Sequence, residues 1–267
     1  VLMAASIKFN GSLILQMMGE GSLRMAVAEC SPGYGLRATA QWREPLAEGP
    51  LEQMLGAAAQ RHAARCVITL DPLDRLPGQQ PYQGIVALHD DAGQPYAQLA
   101  EVLAQYMARS EQIDTRFVLA CDGKQACGVL LQRMPLEGGV ADAGRAAASH
   151  DAFDTALAVI GTLQADELLA TETATLLHRL FWQQDVQAWN AQRDGTAPHF
   201  HCTCSRDKVR DMLRMLGRDE VESIIAERGA VDVNCEFCGA AYHFDLVDAA
   251  QALLARDVLP PGGAQAQ

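Results

Sequence analysis

The sequence is short of several things, and each shortage excludes something. Aromatic residues are only 6% of the 267 residues, so any core is built from Leu, Ala, Val and Met. Positive charge is scarce. Lys and Arg number 21 against 33 Asp and Glu, a net charge of -12. A pI near 4.9 argues against nucleic acid, whose binders carry a basic patch. It argues equally against an anionic membrane surface. No apolar run approaches the ~18 residues of a transmembrane helix. There is no Gly-x-Ser-x-Gly elbow, no His-Glu-x-x-His pair and no Walker loop. Gly33 and Gly35 lack the strand-to-helix setting of a phosphate loop and read as turn residues. Asp90-Asp91 and Asp166-Glu167 pair acids that are adjacent in sequence, so they point different ways and read as solvated. No catalytic residue is assigned, and the chain is read as not an enzyme.

What remains is enough for a fold. Hydrophobic residues are 49%, and the length suits two domains, or three with a small metal module. Val1-Leu2-Met3-Ala4-Ala5 reads as the end of an apolar helix with no basic region before it, so it is not a signal peptide. The chain is expected to begin inside a longer natural sequence. From Ile7 to Met134 the pattern is one strand-rich α+β domain. Ile7 and Phe9 precede Asn10-Gly11, a hairpin dipeptide. Leu13, Leu15 and Met17, then Leu23, Met25 and Val27, alternate at period two on either side of Gly19-Glu20-Gly21. Gly33 to Ala40 adds a strand. Leu51 to Ala59 is a helix, and Cys66 to Leu70 and Tyr82 to Leu88 are strands. Asp91 to Pro95 opens a helix through Tyr96, Leu99, Val102, Leu103 and Tyr106. Arg116 to Cys121 and Gly128 to Met134 pair across Asp122-Gly123-Lys124.

Composition shifts at Pro135 to Gly139. Helices follow over Ala143 to Leu163, Gln164 to Ala170 and Glu172 to Trp182, the last capped by Thr171. This Ala-rich, acidic region has few apolar anchors and is helical only while packed against something. Asn190 to Pro198 is a polar linker. The boundaries expected are a core at 1–139, a helical linker at 140–198, a metal module at 199–246 and a tail at 247–267, with Pro260 to Gln267 disordered.

Cysteine is the residue present in force. Eight of them, half scattered, do not make a secreted disulfide scaffold, and a reducing cytosol fits better. Cys30, Cys66, Cys121 and Cys127 read as small buried hydrophobes, although Cys121 and Cys127 could pair across their hairpin. The other four are grouped: Cys202-Thr203-Cys204, thirty residues, then Cys235-Glu236-Phe237-Cys238-Gly239. Zn²⁺ takes four such ligands in a tetrahedron, and a coordinated thiol gives up its proton. Gly239 permits a tight turn that points amide N–H groups at the sulfurs. Four cysteines fill the tetrahedron, which leaves His199 and His201 as poor substitutes and His243 at the surface. A disulfide across one intervening residue closes a small, strained ring, and strained disulfides are labile. The same sulfurs therefore suit a static zinc-stapled protein-interaction module or a redox switch. A thiol-disulfide oxidoreductase is disfavoured, because its C-x-x-C opens a helix and this one lies between strands. In the module, Ser205 caps a helix carrying Val209, Met212, Leu213 and Leu216, and Gly217 ends it. Asp219 with Glu222 starts a second, closed by Gly229. Val231 and Val233 lead into the C-x-x-C turn, Tyr242 and Phe244 lead out, and a short helix runs on to Val258.

With these residues in view, the chain resembles the redox-regulated heat-shock chaperone family, the thirty-three-kilodalton heat-shock proteins. The resemblance rests on Cys202-Thr203-Cys204-Ser205-Arg206, the spacer, and Cys235-Glu236-Phe237-Cys238-Gly239. It extends to Leu180-Phe181-Trp182 with Asp185-Val186, Ser110-Glu111-Gln112 with Thr115, Tyr82-Gln83-Gly84-Ile85-Val86, and Lys8-Phe9-Asn10-Gly11. It implies a strand-rich core, a helical linker and a C-terminal zinc domain. It implies that Cys202, Cys204, Cys235 and Cys238 hold Zn²⁺ when reduced, and that oxidation pairs Cys202 with Cys204 and Cys235 with Cys238 and ejects the metal. It further implies an ATP-independent holdase of the bacterial cytoplasm that acts in oxidative stress and is dimeric when active. Members carry a further stretch before the segment matching Leu2 to Gly11, so a truncated or processed start is expected here. On this view loss of zinc unfolds the module and loosens the linker. Leu176, Leu177, Leu180, Phe181, Trp182, Val186 and Trp189 then become candidate client-binding residues.

Overall fold

The computed structural model describes residues 1–46, 49–56, 64–134, 143–186 and 197–254. The composition break at 135–139, Trp189, most of the polar linker and the 260–267 tail lie outside the described residues, as does the end of the helix expected after Leu51. The chain divides into two compact units, Val1–His199 and Phe200–Gln267. The fold class is α+β, as the strand pattern indicates. No helix among the described residues is long and apolar enough to cross a membrane.

The first unit opens with α1 (Leu2–Ser6), β1 (Gly11–Met18), β2 (Leu23–Ser31), β3 (Gly35–Trp42), α2 (Leu51–Leu55), β4 (Arg65–Pro72) and β5 (Tyr82–Val86). The strands run antiparallel in the order β5-β4-β1-β2-β3. In register, Leu13, Leu15 and Met17 stand opposite Leu70, Ile68 and Cys66. Period-two alternation therefore puts one apolar row on one face. Leu13, Met17, Ile68 and Cys66 of this row are buried with Leu55, Val86 and Leu88, and half-buried Leu15 and Leu70 pack against them. On β2 the alternation misleads. A bulge between Leu23 and Met25 shifts the register. Leu23 and Cys30 are buried, while Met25 and Val27 are only half-buried. An extra residue in one strand reverses which side chains face inward.

Asn10-Gly11 is not a hairpin turn. Gly11 begins β1 itself, and a Cβ there would meet the Phe9 ring at 2.4 Å and the Asp71 carbonyl at 2.2 Å. Its glycine answers close packing, not a turn. The β1–β2 turn is Gly19-Glu20-Gly21, where the Glu20 and Gly21 amides donate to the Leu55 carbonyl at the end of α2.

The helix expected from Asp91 starts later, as α3 (Leu99–Tyr106), where Glu101 accepts the Gln98 amide. Asp90 instead closes a turn by accepting the Gln94 amide. A π-helical turn, Met107–Glu111, continues α3. Tyr106 is buried, and its hydroxyl donates to Glu111 at 3.3 Å. Burial first, and the Glu111 carboxylate second, push its pKa up. The ring lies over Gly84, where a Cβ would stand 2.8 Å from it and 3.6 Å from Ser110. Two stretches far apart in sequence, Tyr82 to Val86 and Ser110 to Gln112, thus form one contact.

β6 (Thr115–Cys121) and β7 (Ala126–Gln132) form a separate two-stranded sheet. Phe117 and Leu130 are paired in register and join the main core with Val102 and Tyr106. Val118, Val129, Ala120, Cys127 and Leu131 fall on the other face. There they pack with Ile160, Leu163, Leu168 and Leu176 of the helical region α4 (Ala143–Ile160), α5 (Ala165–Ala170) and α6 (Thr173–Phe181). Phe117 and Ala120 are thus buried on opposite faces of β6, while Leu119 and Cys121 on the Phe117 face are exposed. The cap of α6 is Glu172, whose carboxylate accepts the Thr175 amide, and Thr171 ends α5.

A two-residue strand β8 (His199–Phe200) straddles the division of the units. Beyond it come α7 (Arg206–Leu216), α8 (Arg218–Arg228), β9 (Val231–Asn234), β10 (Ala241–Phe244) and α9 (Leu246–Leu254). Val209, Leu213, Val221, Val231, Phe244 and Ala249 make their small core. Ser205 caps α7 by accepting the Lys208 amide, as the sequence indicates. Helix α8 starts one residue earlier than Asp219, with Gly217 at its cap and Asp219 in its first turn.

Candidate metal centre

Two loops of the second unit bring four cysteines together. Cys202 and Cys204 lie just ahead of the Ser205 cap of α7, and Cys235 and Cys238 occupy the turn between β9 and β10. That turn is closed by hydrogen bonds from the Cys235 amide to the Ala240 carbonyl and from the Gly239 amide to the Cys235 carbonyl. Gly239 has φ +73°, the left-handed conformation that the tight turn requires and that glycine adopts without strain.

The four sulfurs lie within 4.8 Å of one another. Cys202 Sγ is 3.7 Å from Cys235 Sγ, and Cys204 Sγ is 3.4 Å from Cys238 Sγ. A zinc–sulfur bond of about 2.3 Å gives a tetrahedron with edges of about 3.8 Å. The donor set therefore fits a tetrahedral ion that prefers thiolates. His199 and His201 are not part of the cluster. His199 contacts the Ala197 carbonyl, and exposed His243 pairs with Asp232.

Local dipoles act unequally on the sulfurs. The Cys204 amide, aided by the neighbouring thiols and opposed by burial, draws the Cys202 thiol down to about 6. At Cys238 the Ala240 amide is the strongest single influence and pulls downward, but the Cys204 thiol, burial and the Cys235 and Cys202 thiols together outweigh it and drive the pKa up to about 12. One thiol surrenders its proton readily and another holds it. A cation at the centre would displace the shared protons.

Two residues that sequence reasoning passed over complete the centre. The Tyr242 hydroxyl donates to Cys204 Sγ at 3.0 Å, and this contact pushes the phenol up to about 12. Arg206 donates to the His243 carbonyl at 2.8 Å and to Asp248 at 2.7 Å, and its guanidinium stands 4.2 Å over the Phe244 ring. It ties the first cysteine loop to β10 and α9. The available signals were an arginine two residues beyond Cys204 and an aromatic alternation after the C-x-x-C turn.

The scattered cysteines separate by surroundings. Cys30 and Cys66 are buried, Cys127 is half-buried and Cys121 is exposed. Reading all four as buried is therefore wrong for Cys121. Nor do Cys121 and Cys127 face each other. Cys121 stands opposite Ala126, and Cys127 opposite Ala120, so the two thiols leave opposite faces of the hairpin.

Of the residues marked as client-binding, Leu176 is buried, Leu177, Leu180 and Phe181 are half-buried, and Trp182 and Val186 are 67% and 48% exposed. Trp182 and Phe181 line a cavity of about 450 Å³ against Asp151, Thr155 and Val159 of α4.

Comparison with known proteins places these features in a family. The family described as Hsp33 protein matches residues 1–245. A protein of Methylobacillus flagellatus named 33 kDa chaperonin is 43% identical over 260 residues, 97% of this chain and 80% of that one. One of the same name from Chromobacterium violaceum is 41% identical over 251 residues, 94% of this chain and 76% of its own. Among solved structures, the 33 kDa chaperonin of Thermotoga maritima superposes with a TM-score of 0.68 at 22% identity, over 96% of this chain and 82% of that one.

Proposed function

The chain belongs to the Hsp33 family, and on that premise we propose that it is a molecular chaperone gated by oxidation. It works without ATP and catalyses no reaction. It holds unfolding proteins after its four-cysteine zinc site is oxidised. Cys202, Cys204, Cys235 and Cys238 hold the ion as thiolates. Bound zinc supplies folding free energy, about 10–16 kcal/mol apparent in finger peptides. The observation that carries the reading is the sulfur cluster at zinc spacing in a unit with a small core.

Oxidation converts two thiolates and one peroxide, with two protons, into one disulfide and two waters. It pairs Cys202 with Cys204 and Cys235 with Cys238. This pairing is what the family resemblance implies; in the reduced fold the short sulfur–sulfur distances are instead Cys202 to Cys235 and Cys204 to Cys238. The sulfurs can no longer hold the ion, and the second unit unfolds. Helices α4–α6 then lose their seat on the β6–β7 sheet. Leu176, Leu177, Leu180, Phe181, Trp182, Val186 and Trp189 become available to clients, together with the hairpin face of Val118, Val129 and Leu131. An exposed apolar patch of this kind binds other apolar surface. The active form is a homodimer in the cytoplasm, and it takes neither nucleic acid nor membrane as partner.

The test is light scattering of a heat-unfolding client without ATP. The chain is added reduced with zinc, or after peroxide at mild heat. Suppression by the oxidised form alone is expected. Equal suppression by both forms removes the redox gate. Suppression by neither, with zinc still bound, makes the site a static staple for a protein-interaction module.

A further inference from the structure

Tyr242 reaches the cysteine cluster through one atom, and the fold, not the sulfur, holds that atom in place. The residue lies in β10 opposite Val233. Both side chains pack against the core of Val209, Leu213, Val221, Val231 and Phe244. From that seat the hydroxyl donates to Cys204 Sγ at 3.0 Å. Cys202 and Cys238 take backbone donors, the amides of Cys204 and Ala240. The donor at Cys204 is a side chain, so a substitution can remove it and leave the loop intact.

We propose that Tyr242 is a positioning residue that sets how readily Cys204 is oxidised. This deepens the redox-gate reading and rests on it. A hydrogen bond to a thiolate engages one of its lone pairs and withdraws charge, which weakens the sulfur as a nucleophile. The affected step is attack of Cys204 sulfur on hydrogen peroxide. An S–O bond forms, the O–O bond breaks, and hydroxide leaves. Cys202 sulfur then attacks the sulfenic sulfur. The S–S bond forms, the S–O bond breaks, and a second hydroxide leaves. The sulfur pair has lost two electrons to the peroxide, and two protons from solvent complete two waters. With the Tyr242 hydroxyl in place the first step is slow, so the pair resists low oxidant and responds to high.

The full chain loaded with zinc is compared with Tyr242→Phe and with Val233→Ala, which alters the same packing without touching sulfur. A chromogenic chelator reads zinc release driven by peroxide, and in a separate arm release driven by excess chelator alone. Tyr242→Phe is expected to speed peroxide-driven release about tenfold, the weight of one hydrogen bond to a charged group. Chelator-driven release, which requires no attack of the sulfur on peroxide, should change less than about threefold, the low end of an ordinary hydrogen bond's net weight. Thiol trapping and mass spectrometry should find Cys204 modified earlier. Val233→Ala should change the two rates by the same factor. An unchanged peroxide rate in Tyr242→Phe overturns the proposal, as does equal acceleration of both rates, which is the signature of packing alone. If the unaltered chain binds no zinc, the redox-gate reading falls with it. If it binds zinc and the variant behaves identically, only the role of Tyr242 falls.

Discussion

Cys66 and Cys121 are the same side chain in opposite surroundings, and they should behave as different reagents. Burial in β4 pushes the Cys66 thiol up to about 12, whereas Cys121 is exposed at the end of β6. Alkylation of the native reduced protein at pH 8, read by mass spectrometry, should label Cys121 within minutes and leave Cys66 intact. The same burial fixes a pH dependence. A folded-state pKa raised above the ordinary thiol value of about 8.5 means that the folded state keeps a proton the unfolded state has lost. That contribution is complete below about 8.5 and declines as pH rises toward about 12. Urea denaturation of Cys66→Val should therefore lose less stability between pH 8 and pH 10 than the unaltered chain. Gly84 gives a second residue-scale test. A Cβ there would stand 2.8 Å from the Tyr106 ring, so Gly84→Ala should destabilise the first unit by about 1–3 kcal/mol, as overpacking does.

Among the elements, the β6–β7 hairpin decides most, because it is apolar on both faces and each face has a different cover. Phe117 and Leu130 go to the main core, and Val118 and Val129 go to the helices α4–α6. Those helices are short of anchors, and Leu176 is a buried one. Leu176→Ala should cost about 2–5 kcal/mol, and the cost falls on the cover, not on the principal sheet. Hydrogen exchange should show faster exchange in α4–α6 with unchanged protection in β1 and β4. If the redox-gate reading holds, this variant should suppress client aggregation in the reduced state. Unchanged exchange in α6 would show that the helices do not depend on this contact.

At the scale of the whole molecule, the two units should respond differently to loss of metal. Among the described residues the second unit has only a small buried cluster, Val209, Leu213, Val221, Val231, Phe244 and Ala249, and a module so small depends on a metal or a disulfide for stability. Chelation under reducing conditions should abolish the α7 and α8 contribution to far-UV circular dichroism. Trp42, Trp182 and Trp189 all lie within the first unit, so tryptophan emission reports that unit alone. The Trp42 signal should persist after chelation. Calorimetry should pass from two transitions to one. A single transition in both states would mean that the units melt together and that zinc is not a local staple.

The grouping of the four cysteines, the α+β class, the helical region and the family were all legible in the sequence. Each depends on short-range spacing: two cysteine pairs around a fixed spacer, alternation at period two, helical period after residue 143. Spacing survives any arrangement of the elements. What the sequence left undetermined depends on which faces meet. The bulge after Leu23 reversed the outlook of Met25 and Val27. The glycine of Asn10-Gly11 answered a neighbouring ring and carbonyl rather than a turn. Cys121 and Cys127 stand close in sequence but leave opposite faces of one hairpin. Tyr242 looked like a strand residue until β10 carried it to Cys204. Burial and long-range contact are properties of pairs of surfaces, and a one-dimensional pattern names the surfaces without pairing them.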